Sequence, residues 1–479
     1  MRRSIRALLT TATALTLAAG FSAHAADAPR CAPQPPGMDA ALKAPTAIIW
    51  FGELHGSNEM PAAFGDAVCA ASQGKRPIVV ALERSSAEQT RWDTYLKSDG
   101  GDMARAQLLT GADWSNPGQD GRSSKAMLAL AERLRQLKQS DRIQAVAVFD
   151  AYEEGKTRDQ WMADALMATL KAHPDAVILV YSGNVHAMGV PFAGQMTTRS
   201  LLPAGAATSI NLVGANGSRS WNYGVGEHPS GGIDHTAAVV STTTPDAARF
   251  ANQGFEYVDF LGAPTTASPP ALTEAFALTA PIHDAFVKAE ADQARLQPAR
   301  DDSERLERML DLDQAGREIV IHIDFSTLPV EQRLAAQEIA WRDIDAHDLD
   351  DQKALKAMMP ASGWFTSPPY SAKAASAAFL IVQHAVNDPD LMRDALKRME
   401  PLTKTGQVRG DNYALLYDRV SLAFDHKPQR YGSQVECRAG QWQPSNLEDP
   451  AHVDDRRKAV GLKESEAEYL KHFADNPCH

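Results

Sequence analysis

Four short apolar runs, each ending in an ionisable residue, dictate what the first half of this chain can fold into. They are Ala47–Glu53 continuing through Leu54 to His55, Ile78–Glu83, Ala145–Asp150, and Val177–Ser182 continuing through Gly183, Asn184 and Val185 to His186. Short β-branched runs separated by helix-like stretches are the pattern of parallel strands buried on both faces. In an open α/β sheet, ligands bind beyond the carboxyl ends of the strands. The four runs are therefore expected to bring Glu53, His55, Glu83, Asp150 and His186 to one edge of one sheet.

The stretches between the runs agree with that reading. Asn58–Gln73, Ala87–Lys97, Ser123–Lys138 and Thr157–Ala172 have helical spacing, and further strands are expected at Ala207–Val213, Ser220–Val225, Ala237–Ser241 and Phe255–Leu261. The alternation predicts a parallel or mixed α/β sheet flanked by helices, over residues 46–262. A Pro/Thr/Ser stretch at 263–271 can hold neither helix nor strand and reads as a linker. Beyond it the texture becomes mainly α-helical, over 272–434. Helices are expected at Pro281–Leu296, Asp302–Leu312, Val330–Asp345, Asp351–Met359, Ala372–Ala385, Asp390–Met399 and Asp411–Ala423. Glu318–Phe325 reads there as the one strand, and 435–479 as a polar, irregular tail.

The first 25 residues read as a secretory signal. Arg2, Arg3 and Arg6 precede the apolar stretch Ala7–Ala19, which is too short to span a bilayer, and Ala23-His24-Ala25 offers a cleavage pattern after Ala25. A soluble periplasmic or secreted protein with no transmembrane segment is expected. Removing three arginines from 48 basic residues against 60 acidic ones leaves a net charge of −15. So acidic a chain is repelled by nucleic acid and by anionic lipid, which excludes both as partners. Cys31, Cys69, Cys437 and Cys478 all lie in the exported part, so two disulfides are expected, with Cys31–Cys69 and Cys437–Cys478 favoured because each stays within one domain.

Glu53 and His55 are spaced i, i+2, which puts both side chains on one face if the strand persists. Two histidines with carboxylates support three chemistries. A carboxylate-held imidazole is a general base that activates water. Two histidines with Glu53 or Glu83 can hold a divalent metal, and His55 with His186 could ligate haem iron. The residues alone leave all three open, as well as the case of no cofactor. Arg84, next to Glu83, either stabilises an oxyanion or merely pairs with Glu83. The Gly226–His235 stretch, with His228 and His235, reads as a flexible surface turn.

The same residues carry a resemblance. Phe51-Gly52-Glu53-Leu54-His55-Gly56 resembles the first motif of the superfamily that contains erythromycin esterases, ChaN-like haem-uptake proteins and Tiki/TraB proteases. Val180–Pro191 resembles its second motif, closest to the ChaN-like version, and Val80-Ala81-Leu82-Glu83-Arg84 matches the strand between them. The resemblance implies catalytic or ligand roles for Glu53, His55, Glu83 and His186, with Asp150 a weaker transfer. It does not choose among ester hydrolysis, metal-dependent proteolysis and haem binding. From Asp302 to Gln434 the chain resembles a family of bacterial domains of unknown function. The marks are Asp313-Gln314 with Arg317, Gly363-Trp364, Leu380–Ala385 including Gln383-His384, Tyr417-Asp418-Arg419-Val420, and Gln429-Arg430-Tyr431-Gly432-Ser433-Gln434. No chemistry comes with that likeness, and its polar residues read equally as a structural network or a second site.

The leading expectation is an exported hydrolase acting on an ester, lactone or amide bond of a small-molecule or peptide substrate. His55 would be the base, held by Glu53 or Glu83, with His186 as acid or second ligand. The alternative is a haem- or iron-binding periplasmic protein, and the third reading is a non-catalytic scaffold.

Overall fold

A computed structural model describes residues 30–152, 154–222, 226–361, 363–474 and 478. The signal-like residues 1–25 lie outside the described residues. Two compact units are present: Ala23–Thr279 with Asp324–Ile339, and Ala280–Ile323 with Ala340–His479.

The first unit is built on a seven-stranded mixed sheet. Its strands are β1 (Ile48–Glu53), β2 (Ile78–Ser85), β3 (Ala145–Asp150), β4 (Val177–Gly183), β5 (Ala207–Val213), β8 (Ala238–Ser241) and β9 (Tyr257–Phe260), and a separate antiparallel pair is made by β6 (Ser218–Asn222) and β7 (Gly226–Gly231). The order is β3-β2-β4-β1-β5-β9-β8, and all neighbours are parallel except β8 with β9. β4 is thus inserted between β2 and β1, so the carboxyl ends of three site-bearing strands sit side by side.

Period-2 alternation explains why both faces are covered. Ile49, Phe51, Val80, Leu82, Leu179 and Tyr181 pack in one core with Phe64, Trp92 and Leu134 from the helices Glu59–Ala71, Gln89–Lys97 and Lys125–Gln139. Ile48, Trp50, Val79, Ala81, Ile178 and Val180 pack in another with Met162 and Leu166 from the helix Arg158–Ala172. Cys31–Cys69 staples the N-terminal segment to the helix Glu59–Ala71.

Residues 263–271 form neither helix nor named strand, yet they are tied down. Asn58 donates its N–H to the Thr266 carbonyl, Ser268 to that of Gly56, Lys125 to that of Pro269 and Ala271 to that of Ser123, all at 2.8–3.0 Å. The segment thereby braces the loop after β1 and the start of the helix Lys125–Gln139.

Several expectations are corrected. Gly226–Gly231 is not a loose turn but strand β7, paired with β6, and β6 begins two residues earlier than its sequence pattern suggests. Glu318–Phe325 is not a strand: Arg317–Val320 is a helical turn in which the Gly316 carbonyl accepts from both Ile319 and Val320. Ile321 is 71% exposed there, so the β-branched run does not bury the alternating face that a strand needs. The tail holds an antiparallel hairpin, β10 (Val435–Arg438) with β11 (Gln441–Pro444), and the second disulfide, Cys437–Cys478. Otherwise the second unit is helical, and its core gathers Leu306, Leu355, Trp364, Val382, Met392 and Leu416. The two helices expected over 330–359 run as one, Val330–Met358, because no glycine or proline interrupts them.

One buried group has a consequence for stability. Asp259 on β9 is 2% exposed, and burial pushes its carboxyl up from 3.8 to about 7. The unfolded chain releases that proton near the ordinary value. Between about pH 4 and 7 the folded state therefore holds the extra proton, so stability falls as pH rises through that window and stays lower above it. Asp259→Asn is expected to raise stability at pH 8 by roughly 1–3 kcal/mol and to flatten the decline between pH 4 and 7. Urea unfolding across that range checks it, and a wild-type pH profile in the variant would contradict it.

Candidate functional site

β1 and β4 pair so that Glu53 lies opposite Gly183, and β2 runs along the other side of β4. His55 follows β1 by two residues. Its Nδ1 lies 2.7 Å from Glu53 Oε1, and its Nε2 lies 3.6 Å from Glu83 Oε2. Glu53 Oε2 accepts the Tyr181 hydroxyl, and Tyr181 in turn stacks on Phe64 at 4.7 Å between ring centroids. Glu53, and through it His55, is therefore locked from the core side.

Glu83 is the hub. It accepts from Arg158 Nη2 at 2.7 Å, Arg122 Nη1 at 3.2 Å and the Gly183 backbone N–H at 2.7 Å. His186 Nε2 lies 3.7 Å from its Oε1. A Cβ at Gly183 would come to 3.0 Å from His55 Nε2, so a side chain there would press on the imidazole. His186 sits in the short helix Asn184–Ala187 that leaves β4, with Nδ1 2.7 Å from Asp159 Oδ1 and Nε2 3.2 Å from Arg158 Nη1. A guanidinium only donates, so His186 Nε2 can bond Arg158 only in the tautomer that carries its proton on Nδ1, facing Asp159.

Burial opposes charge on this cluster, but the partners outweigh it. Burial alone would lower the His55 pKa; the nearby Glu83 charge and the Glu53 hydrogen bond raise it above its ordinary value. Burial would raise Glu83, yet His55, His186, Arg122 and Arg158 bring it down to about 2. Asp159 is likewise held low, against its burial, by its bonds to His186 and Thr198.

The structure thus brings Glu53, His55, Glu83 and His186 together. Asp150 stands one step back: it accepts from Arg122 Nη1 at 2.8 Å and Arg158 Nη2 at 2.6 Å and so holds the two guanidinium groups. Arg84 turns away. It donates to Ser123 Oγ at 2.8 Å, lies 3.3 Å from Asp113 and stacks over Trp114 at 4.3 Å, anchoring the loop that carries Arg122. A cavity of about 60 Å³, lined in part by Glu83, Asp120 and Arg122, adjoins the cluster and is large enough for a few waters.

Sequence reasoning missed Arg122, Arg158, Asp159 and Tyr181. One signal was present for two of them. Thr157 and Gln160 form a capping box that starts the helix Arg158–Ala172 directly after β3, which places Arg158 and Asp159 at the edge where the strands end.

A family described as being of unknown function, DUF6624, matches residues 300–477. No curated protein matches the chain. Among solved structures, a histidine-to-asparagine mutant of erythromycin esterase in its open conformation is 10% identical with a TM-score of 0.38; the match covers 48% of this chain and 93% of that one. The type III effector HopBA1 is 13% identical with a TM-score of 0.30, covering 49% of this chain and 97% of that one.

Proposed function

We propose that the first unit is a hydrolase that attacks an ester, lactone or amide with a water activated by His55. The observation that carries this is the Glu53–His55 pair. Glu53 accepts from Tyr181 on one oxygen and faces His55 Nδ1 with the other, so the Nδ1 proton sits between them and the Nε2 lone pair is left toward Glu83. The 3.6 Å gap to Glu83 is too long for a hydrogen bond in the neutral state, yet short enough to stabilise the imidazolium once the proton has been taken. Arg122 and Arg158 supply positive charge where an oxyanion would develop. His186 and Asp150 keep Arg158 in place and are positioning residues. Water is the nucleophile; Ser57, the hydroxyl two residues beyond His55, is buried and accepts from the Met60 N–H.

Ligation of haem or iron by His55 and His186 would need both Nε2 atoms open, and that of His186 faces the Arg158 guanidinium. The export reading is supported by the two disulfides and by the signal-like first 25 residues, which lie outside the described residues. Among the described residues no helix is long and apolar enough to cross a membrane.

The test is a panel of simple esters, lactones and amides assayed across pH 5–9. Because the Glu83 charge and the Glu53 hydrogen bond raise the His55 pKa, kcat/KM is expected to climb with pH along a limb whose midpoint lies above 6.5. Absence of turnover on every member of the panel would refute the proposal.

A further inference from the structure

The motif residues of the helical unit that the hydrolase reading leaves unused converge on one spot. Asp313 and Arg317 lie one turn apart, Asp348 comes from the helix Val330–Met358, and His384 ends the helix Ala372–His384. Asp313 is 2% and Asp348 7% exposed, and each can offer one ligand atom, with His384, such that all three lie within 4.8 Å of one another. His384 Nδ1 is 2.8 Å from Asp313 Oδ1. Arg317 donates to Asp348 Oδ1, and its Nε lies 3.4 Å from Asp313 Oδ1.

A neighbouring acceptor is left without a partner. Asp351, 8% exposed and three residues beyond Asp348 on the same helix, has an Oδ2 with no hydrogen-bond donor. The i, i+3 spacing places it on the face of Asp348, and the charges of Asp313 and Asp348 reach it. Three buried carboxylates thus face one guanidinium and one imidazole. Buried acceptors are normally satisfied, and buried charges are normally paired or bound to a metal.

We propose that Asp313, Asp348 and His384, with Asp351 adding a fourth donor, bind a divalent transition-metal ion in the helical unit. Carboxylate oxygens with one imidazole nitrogen suit zinc or manganese. Ligands around such an ion sit roughly 3–3.5 Å apart, so the group needs only small side-chain shifts to close on it. Arg317 serves as the counter-charge without the ion and moves off Asp348 when it binds. Asp418, by contrast, is not part of the site. It is fully buried and accepts from the backbone N–H groups of Arg430, Tyr431 and Ser433, which accounts for the Gln429–Gln434 motif as a structural clamp.

The full-length protein, stripped with a chelator, is titrated with Zn²⁺ and then with Mn²⁺. The double variant His55→Ala/His186→Ala, titrated in parallel, removes the two clustered histidines of the first unit. One equivalent is expected to bind in both proteins and to raise the midpoint of thermal unfolding. Asp351→Asn is expected to unfold at a higher temperature than the wild type without metal, which shows an intact fold, and to bind at least tenfold more weakly. His384→Ala should lose the metal-dependent rise. No binding in the double variant, or wild-type affinity in Asp351→Asn, would overturn the proposal, whatever the outcome of the ester assay.

Discussion

His55→Ala is expected to lower kcat/KM on the best substrate of the panel by roughly 10²–10⁴, the span that a positioned general base contributes. The fold should survive, because the His55 side chain is 19% exposed and lies at a strand end rather than in a core. Glu53→Gln separates orientation from bulk. A glutamine amide can donate to Nδ1, and that would favour the tautomer with its proton on Nε2, the wrong one for a base. Glu53→Gln should therefore lose nearly as much as His55→Ala, although its shape hardly changes. Tyr181→Phe should lose far less, since it removes one donor to Glu53 and leaves the Glu53–His55 contact in place. Full activity in Glu53→Gln would show that His55 is not oriented in this way.

The legible part of this site is the part written in strands. The runs ending at Glu53, Glu83 and His186 mark themselves as buried by β-branched composition, and buried strands present their carboxyl ends to a ligand. Which ends become neighbours is not local information. The insertion of β4 between β2 and β1 puts Gly183 against Glu83, and nothing in either run encodes that pairing. The two arginines were illegible for another reason. In a sequence, an arginine in a loop looks like a solvated surface charge, and only the fold shows that Arg122 and Arg158 fall between Glu83 and Asp150. Arg84 shows the reverse error. Adjacency to Glu83 suggested a shared role, but β2 is irregular between Leu82 and Ser85, and Arg84 goes to Ser123, Asp113 and Trp114 instead. In the second unit, Ile319-Val320-Ile321 has strand propensity and forms a helical turn, because strand propensity expresses packing within a sheet more than a preference of the backbone.

Glu83→Gln should produce the largest loss of stability at neutral pH, because it takes the one buried negative charge that four cationic or ionisable groups share. Glu83 is 5% exposed, and its carboxyl is held down to about 2 from 4.5. The folded state thus gains stability from ionised Glu83 at every pH above the unfolded value. That gain disappears as pH falls from about 4.5 through 2. At pH 7 the variant is expected to be less stable by about 3 kcal/mol, the size of that shift and of a buried pair broken on one side. The difference should shrink steadily below pH 4.5, where the wild type also becomes protonated. The same substitution removes the charge that raises His55, so whatever activity remains should show its rising limb at lower pH than the wild type. Denaturant unfolding at pH 7, 4 and 3, paired with a pH–rate profile, reads both effects. Equal stability at pH 7 together with an unmoved limb would mean that Arg122, Arg158 and the two imidazoles are held by something other than Glu83, and the hub would have to be placed elsewhere.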